Sequence, residues 1–184
     1  MTDFWNLKDF DPSTGEFDTG GVDFEPIPSN TTCLAIVDEA KWQTSRDGFD
    51  HISLRWSVLQ PEAYKNRKIF QKLWVTDDDP SAKDPQKKRE KARMMLAAID
   101  ANAGGKLRAA GGLPTDELMG VALTNKPMLI RVMMWKIKDE STDEIKTGNW
   151  IGKVSSRNST TDKVSDVKAA APAPKKRAEA DIPF

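Results

Sequence analysis

The stretch HISLRWSVLQ, residues 51–60, decides the fold class of this chain. Polar and apolar residues alternate along it, which is typical of a β-strand with one face on a core and the other in solvent. The residues expected to face the core are Ile52, Leu54, Trp56 and Val58. The residues expected to face outward are His51, Ser53, Arg55 and Ser57. The pattern predicts a mainly β protein, in which Trp56 is a core side chain and His51 a surface residue.

Two more strands are predicted on either side of this one along the chain. Residues 32–42 combine β-branched and apolar residues, and the following residues 45–48 (SRDG) supply turn chemistry. Residues 68–75 form a third strand after a loop over residues 61–67. Its inward side chains are expected to be Ile69, Leu73 and Val75. Its outward side chains are expected to be Phe70, Lys72 and Trp74.

Helices and two further strands complete the predicted order. Asp84 before Pro85 is a good helix start, and Gly104-Gly105 is a good helix end. A short second helix is predicted to start at Pro114. The last two strands are predicted at residues 128–137 and 149–154. The resulting order, β-β-β-α-β-β, is that of the five-stranded OB barrel, in which the strand 2–3 face and the neighbouring loops bind oligonucleotides.

The composition excludes most familiar enzyme designs. The chain has 184 residues with 28 basic and 28 acidic side chains, so its formal net charge is zero. One cysteine, Cys33, excludes an internal disulfide framework and Cys-cluster metal sites. One histidine, His51, excludes paired-His zinc sites and is a poor candidate for Ser/His chemistry. We therefore expect no enzymatic activity, no cofactor and no metal.

The net charge of zero hides an uneven distribution of charge, which divides the chain into three parts. Residues 1–30 carry seven acids, one base and five aromatic side chains, and are expected to be a loosely ordered leader that docks in places on the domain or on a partner. Residues 31–155 carry 21 bases and 17 acids, and form the predicted OB domain. Residues 156–184 are expected to be a disordered linker with an interaction tip. Lacking a signal peptide and a long apolar run, the protein is expected in the cytoplasm, with no membrane contact.

Aromatic and cationic side chains share the outward faces of the predicted strands. Trp74 lies in phase with Phe70 and Lys72, and Trp135 lies in phase with Arg131. Such a face suits single-stranded nucleic acid, because bases stack on the rings and the cations meet phosphates. The predicted DNA-binding residues are Arg55, Phe70, Lys72, Trp74, Arg131, Trp135 and Lys153.

Two parts of the sequence carry a resemblance to a known family. Residues 64–70 (YKNRKIF), with residues 118–120 (LMG) and 126–132 (KPMLIRV), resemble phage-encoded single-stranded-DNA-binding proteins. The last four residues look like the C-terminal tip of bacterial single-stranded-DNA-binding proteins, although fewer acids precede them here. These four residues are Asp181, Ile182, Pro183 and Phe184. The resemblance implies sequence-independent binding of single-stranded DNA in phage replication, recombination or repair, with host or phage replication and repair proteins recruited through the tip.

Other interpretations stay open. An OB-like adaptor, whose outward aromatics meet a protein partner instead of DNA, would show the same pattern. A nuclease or a single-strand annealing factor would use the acidic turn Asp77-Asp78-Asp79, which could also bind a hard cation, although a solvated turn is the simpler interpretation. The basic face of the first helix either follows a DNA backbone or is the solvated side of that helix. The composition leaves the oligomeric state open, a homodimer included, together with the site size and the preference between RNA and DNA.

Overall fold

The computed structural model describes residues 25–166 as a mainly β fold with helices between the third and fourth strands. The strands are β1 (Thr31–Thr44), β2 (Asp50–Gln60), β3 (Lys68–Leu73), β4 (Met128–Lys138) and β5 (Ile145–Ser155). The helices of this part of the chain are α1 (Pro85–Ala103), α2 (Lys106–Ala110) and α3 (Asp116–Leu123), with a 3-10 turn at Glu62–Tyr64. The predicted strands and both predicted helices are confirmed. The sequence pattern does not anticipate α2, because so short a helix shows little periodicity.

The five strands form one antiparallel sheet in the order β3-β2-β1-β4-β5. The two edge strands run in the same direction, and their Cα atoms approach to within 8 Å of each other. Among residues 25–166, however, no hydrogen-bonded ladder joins β3 to β5. The predicted closed barrel is therefore not confirmed, and the structure shows an open, curled sheet.

The long first strand makes this curvature possible. β1 pairs with β4 over its first residues and with β2 over most of its length. Its register with β2 shifts between Leu34 and Ala35 and again between Val37 and Glu39. Bulges of this kind bend a strand and increase its twist, so one strand can serve two differently oriented neighbours.

The inner face of the sheet forms the core. The side chains predicted to point inward from β2, including Trp56, are fully buried, as are Val37 on β1 and Ile130 on β4. Helix α1 starts after the N-cap Asp84, whose side chain accepts a hydrogen bond from the Lys87 backbone at 3.0 Å. It packs against both edge strands, β3 and β5. Helix α1 thereby covers one end of the gap between β3 and β5. The Arg93 side chain of α1 donates a hydrogen bond to the carbonyl of Val75, just beyond the end of β3.

The chain segment ahead of β1 crosses the same gap. Asn149 of β5 holds the backbone of Ile27 through two hydrogen bonds, in which its Oδ1 accepts at 2.9 Å and its Nδ2 donates at 2.7 Å. On the β3 side, the Arg67 guanidinium donates to the carbonyl of Glu25. Ile27 itself is fully buried. Residues 25–27 therefore bridge the two edge strands without adding a strand to the sheet.

The orientation predicted for Trp74 is wrong. β3 ends at Leu73, so strict alternation stops there, and Leu73, Trp74 and Val75 are all buried in succession. Trp74 is only 8% exposed and packs on His51, with ring centroids 4.7 Å apart. His51 is also not the expected surface residue, since it is 2% exposed. Ser57, a third residue predicted to face outward, is buried as well.

The buried imidazole of His51 makes the stability of the domain depend on pH. Burial, followed by the charge of Lys72, lowers the pKa of His51 below its usual 6.5, although the backbone of Phe49 and the carboxylates of Asp50 and Asp79 act in the opposite direction. The unfolded chain therefore binds this proton more readily than the folded one. The contribution of the neutral ring is complete above pH 6.5 and is lost as the pH falls through 6.5 towards the lower pKa of the folded state.

We expect the free energy of unfolding to fall between pH 7 and pH 5 by more in the native protein than in His51→Phe. One proton sets an upper limit of about 1.4 kcal/mol per pH unit on the difference in slope. Urea unfolding of both proteins at pH 5, 6, 7 and 8 measures this difference. Parallel curves would mean that His51 titrates normally.

The segment after β5 lies on the domain, although the linker was predicted to begin at residue 156. The backbones of Ser165 and Thr32 are joined by a hydrogen bond of 2.9 Å, and the Ser165 hydroxyl accepts another from the Thr32 backbone at the same distance. Asp162 also contacts the sheet, where its carboxylate pairs with Arg131 of β4 and Lys153 of β5. These polar contacts hold residues 156–166 without the large apolar side chains that the prediction required of an ordered segment.

Candidate nucleic-acid interface

A groove lies between the start of β3 and the β4–β5 hairpin. It has a volume of about 720 Å³ and occupies the end of the gap that α1 leaves open. Its walls come from the β2–β3 connection, the first residues of β3, Trp135 of β4, residues 147–149 of β5, and the bridging segment at Pro26 and Ile27. Three of the described residues that line it are cationic and none is acidic.

Two aromatic side chains of the groove are open to solvent. Phe70 on β3 is 68% exposed, and Trp135 on β4 is 38% exposed. Both side chains are exposed, as their predicted outward orientation requires. Burial alternates along β3 at Phe70, whereas the whole end of β4 from Trp135 onward is exposed. The structure thus brings together two predicted DNA-binding residues that are 65 positions apart in the sequence.

Gly148 sets the position of the Trp135 ring. It is the cross-strand partner of Trp135, and a Cβ atom at this position would lie 2.5 Å from Cζ2 of the indole. No side chain fits in that space, so the ring lies directly over the backbone of β5. Glycine is required at position 148 because the indole of Trp135 approaches the backbone there so closely. The ring therefore packs on β5 and stays 38% exposed to solvent.

The cations of the groove are Lys65, Arg67 and Lys68. Lys65 pairs with Glu62 at 3.4 Å, and both of those side chains are well exposed. Lys68 pairs with Asp38 at 2.5 Å. Because both side chains of the Lys65–Glu62 pair are exposed, this pair contributes about 0–1 kcal/mol and Glu62 can be exchanged for a phosphate, whereas the Asp38 side chain that holds Lys68 is only 18% exposed.

Asp38 organises the cations on the outer face of β1, β2 and β3. Its partial burial raises its pKa, but hydrogen bonds from Lys68 and Ser57 and the charges of Lys68 and Arg55 outweigh this and leave the pKa below its usual value. Arg55 also lies 3.3 Å from a carboxylate oxygen of Glu39. Arg55 is thus placed next to the groove as the cross-strand partner of Phe70, but it is held by two carboxylates.

The remaining predicted cations lie elsewhere on the sheet. Lys72 is exposed on β3, opposite Ser53, and does not line the groove. Arg131 and Lys153 are cross-strand partners, and both bind Asp162, at 3.3 Å and 2.6 Å. The hydrogen bond from Lys153 is the largest influence that lowers the pKa of Asp162, so this carboxylate stays charged. Arg131 is four residues along β4 from Trp135, or about 13 Å, and does not join the groove.

Lys65, Arg67 and Lys68 were not among the predicted site residues. The signal was visible, because three cations occur within residues 64–68 (YKNRK), directly ahead of Phe70. Alternation along strands does not reach Lys65 and Arg67, since residues 65–67 lie in a loop, whereas Lys68 is the first residue of β3 and is exposed like Phe70. Asn66 has a positive φ of 66° and turns the chain into β3, which places the cations on both sides of it at the groove.

The acidic turn after β3 directs its three carboxylates to separate partners. Asp77 accepts from the Asp50 backbone at 2.6 Å, Asp78 pairs with Arg89 at 2.9 Å, and Asp79 pairs with Lys88. In residues 25–166, no three His, Cys, Asp or Glu side chains are placed to hold one metal ion. Within the same range, no helix is long and apolar enough to cross a membrane.

The predicted partner-binding tip, Asp181 to Phe184, lies outside the described residues, as do residues 1–24. No protein-family model and no curated protein matches this chain. The function is therefore argued from the groove and from the sequence.

Proposed function

We propose that this protein binds single-stranded DNA without sequence preference, through the groove between β3 and the β4–β5 hairpin. The observation that carries the proposal is the combination of two solvent-open aromatic rings, Phe70 and Trp135, with three cations and no acidic residue in the described lining. Rings offer every base a stacking surface worth about 1–3 kcal/mol, and cations attract the phosphates between the bases. The site is of the binding kind, and we propose no catalytic step.

The polar groups of the groove support binding that ignores base identity. Asn149 uses its amide on the backbone of Ile27 and Met133, so it is not free to read base edges. Lys65 and Lys68 end in ammonium groups, which suit contacts with phosphates and carry no sequence information. Affinity from stacking and charge alone is tolerant of sequence.

The strand order supports a finer description of the fold, an OB barrel opened between β3 and β5. An OB barrel that is opened between its third and fifth strands has the strand order 3-2-1-4-5, with the two edge strands parallel. The sheet observed here has this order. The groove includes the start of β3 and part of the β4–β5 hairpin, which belong to the surface with which OB folds bind oligonucleotides, and this supports the finer description. Together with the resemblance noted in residues 64–70 and 181–184, this supports a role in phage DNA replication, recombination or repair. Recruitment of replication and repair proteins through Phe184 stays a prediction from the sequence.

A titration with fluorescent oligo-dT tests the proposal. We expect binding to the single strand to be much tighter than to a duplex of equal length, since only unpaired bases can stack on Phe70 and Trp135. If Lys65, Arg67 and Lys68 each meet a phosphate, log K should fall with log [salt] with a slope of about −2, at roughly −0.7 per contact. Anisotropy at salt concentrations from low to high gives the slope. Equal affinity for duplex, or a slope near zero, would contradict the groove as the binding site.

The runner-up function is a protein-interaction adaptor. The observation that favours it is a set of exposed apolar side chains along the β4–β5 hairpin, which includes Ile137, Ile145 and Trp150. An adaptor would show no change in tryptophan fluorescence on addition of oligo-dT, whereas stacked bases quench an exposed indole. An annealing factor differs from both, because it would accelerate the pairing of two complementary strands.

A further inference from the structure

The acidic leader reaches the domain at the groove itself. Pro26 and Ile27 line the groove, and the carbonyl of Glu25 accepts a hydrogen bond from Arg67, another lining residue. Residue 24 is thus attached directly to the rim of the proposed binding site. The 24 residues ahead of that point can span at most about 80 Å when extended, so each of them can reach the groove.

The leader repeats one short pattern. An aromatic residue between two acids occurs at residues 9–11 (DFD), 16–18 (EFD) and 23–25 (DFE), with a spacing of seven residues. Residues 3–5 (DFW) add one further acid, followed by two rings. Residues 1–24 contain six acids and one base. Rings and negative charges that alternate along a chain are also the features by which the groove would recognise a single strand.

We propose that residues 1–24 dock in cis in the groove, with their rings against Phe70 and Trp135 and their carboxylates near Lys65 and Lys68, and that they compete there with single-stranded nucleic acid. The charge of the leader is complementary to a lining that contains cations and no described acid. Attachment at Glu25 gives the leader an effective concentration of about millimolar at the groove, so that weak contacts suffice. The competition rests on the proposed function, whereas the docking does not.

The test neutralises the leader in the full chain. One variant carries the substitutions Asp9→Asn, Asp11→Asn, Glu16→Gln and Asp18→Asn. A matched control carries four equivalent substitutions at exposed positions outside the groove: Asp47→Asn, Glu90→Gln, Glu117→Gln and Glu140→Gln. Both proteins gain the same net charge, so a long-range electrostatic effect would appear in both.

The first readout is the indole N–H resonance of Trp135 without nucleic acid, assigned by its loss in Trp135→Phe. We expect it to move in the leader variant and to stay in place in the control. An unchanged resonance would overturn the docking. A shift that depends on protein concentration would also overturn it in its cis form, because a leader from a second copy would then occupy the groove.

The second readout is the affinity for oligo-dT. A leader that occupies the groove ten times as often as it leaves it free lowers the apparent affinity about tenfold, so the leader variant should bind about tenfold tighter at low salt. The gain should vanish at high salt, because charge drives the docking. If Trp135 responds but no protein binds oligo-dT, the proposed function fails while the docking stands. Tighter binding in both variants alike would refute a specific competition.

Discussion

Replacing Phe70 or Trp135 by alanine should weaken oligo-dT binding roughly 5- to 150-fold for each ring. The range corresponds to about 1–3 kcal/mol for the loss of one stacked base. Phe70 is 68% exposed, so its removal leaves the core intact, and Trp135 lies on the outer face of β4. The double variant Phe70→Ala/Trp135→Ala should lose most of the affinity that does not depend on salt. Anisotropy titrations with labelled oligo-dT measure all three proteins.

The control for this prediction is Leu113→Ala. Leu113 has the same exposed fraction as Phe70, 68%, but lies between α2 and α3 and does not line the groove. Its removal should leave the affinity within twofold of the native value. Thermal melts of all variants would show whether the domain stays folded. If the double variant folds and binds oligo-dT with the native affinity, the groove is not the DNA-binding site.

Gly148 offers a second way to disturb the same platform without removing an aromatic ring. A methyl group in Gly148→Ala would lie 2.5 Å from Cζ2 of Trp135, so the indole must leave its place over β5. Gly120→Ala on α3 is the matched control, since a Cβ there meets nothing within 4 Å. Loss of affinity in the first variant alone would show that the position of the ring matters, as well as its presence.

Local patterns predicted most of the fold. The alternation in residues 51–60 identified the buried face of β2 down to Trp56, and the Asp84-Pro85 pair identified the start of α1. These features follow from interactions between residues close in sequence, so the chain displays them without its tertiary structure. Phe70 was placed on the exposed face of β3 for the same reason.

The errors arose where contacts distant in sequence decide the outcome. Nothing in residues 68–75 shows that sheet pairing stops at Leu73, and one residue beyond a strand end suffices to bury Trp74. The pairing of Arg131 and Lys153 with Asp162 depends on the return of the chain after β5. The groove itself exists because β3 and β5 approach each other without pairing. A strand-by-strand interpretation could not foresee that arrangement, although the cations at residues 65–68 were visible.

Trp56→Ala should destabilise the domain by about 3–5 kcal/mol, the cost typical of removing a large aromatic from a packed core. The indole is fully buried on β2, and its Nε1 donates to Oε1 of Gln71 on β3 at 3.1 Å, so the substitution removes packing and leaves that amide without its partner. Because domains of this size are stable by about 5–15 kcal/mol, this loss removes a large share of the stability, and the variant should unfold at a clearly lower urea concentration than the native protein.

Trp150→Ala is the matched control for Trp56→Ala, since Trp150 is 47% exposed on β5. We expect its loss of free energy of unfolding, measured in urea, to be clearly smaller than that of Trp56→Ala, because about half of the Trp150 residue stays exposed in the folded domain. Trp74→Ala should resemble Trp56→Ala in direction, as its ring is buried against His51. If Trp74→Ala instead left stability unchanged and weakened DNA binding, the outward orientation first predicted for that residue would be correct and the packing of Trp74 on His51 would be wrong. The order of the three variants in stability therefore tests the boundary of β3 at Leu73, on which the exclusion of Trp74 from the groove depends.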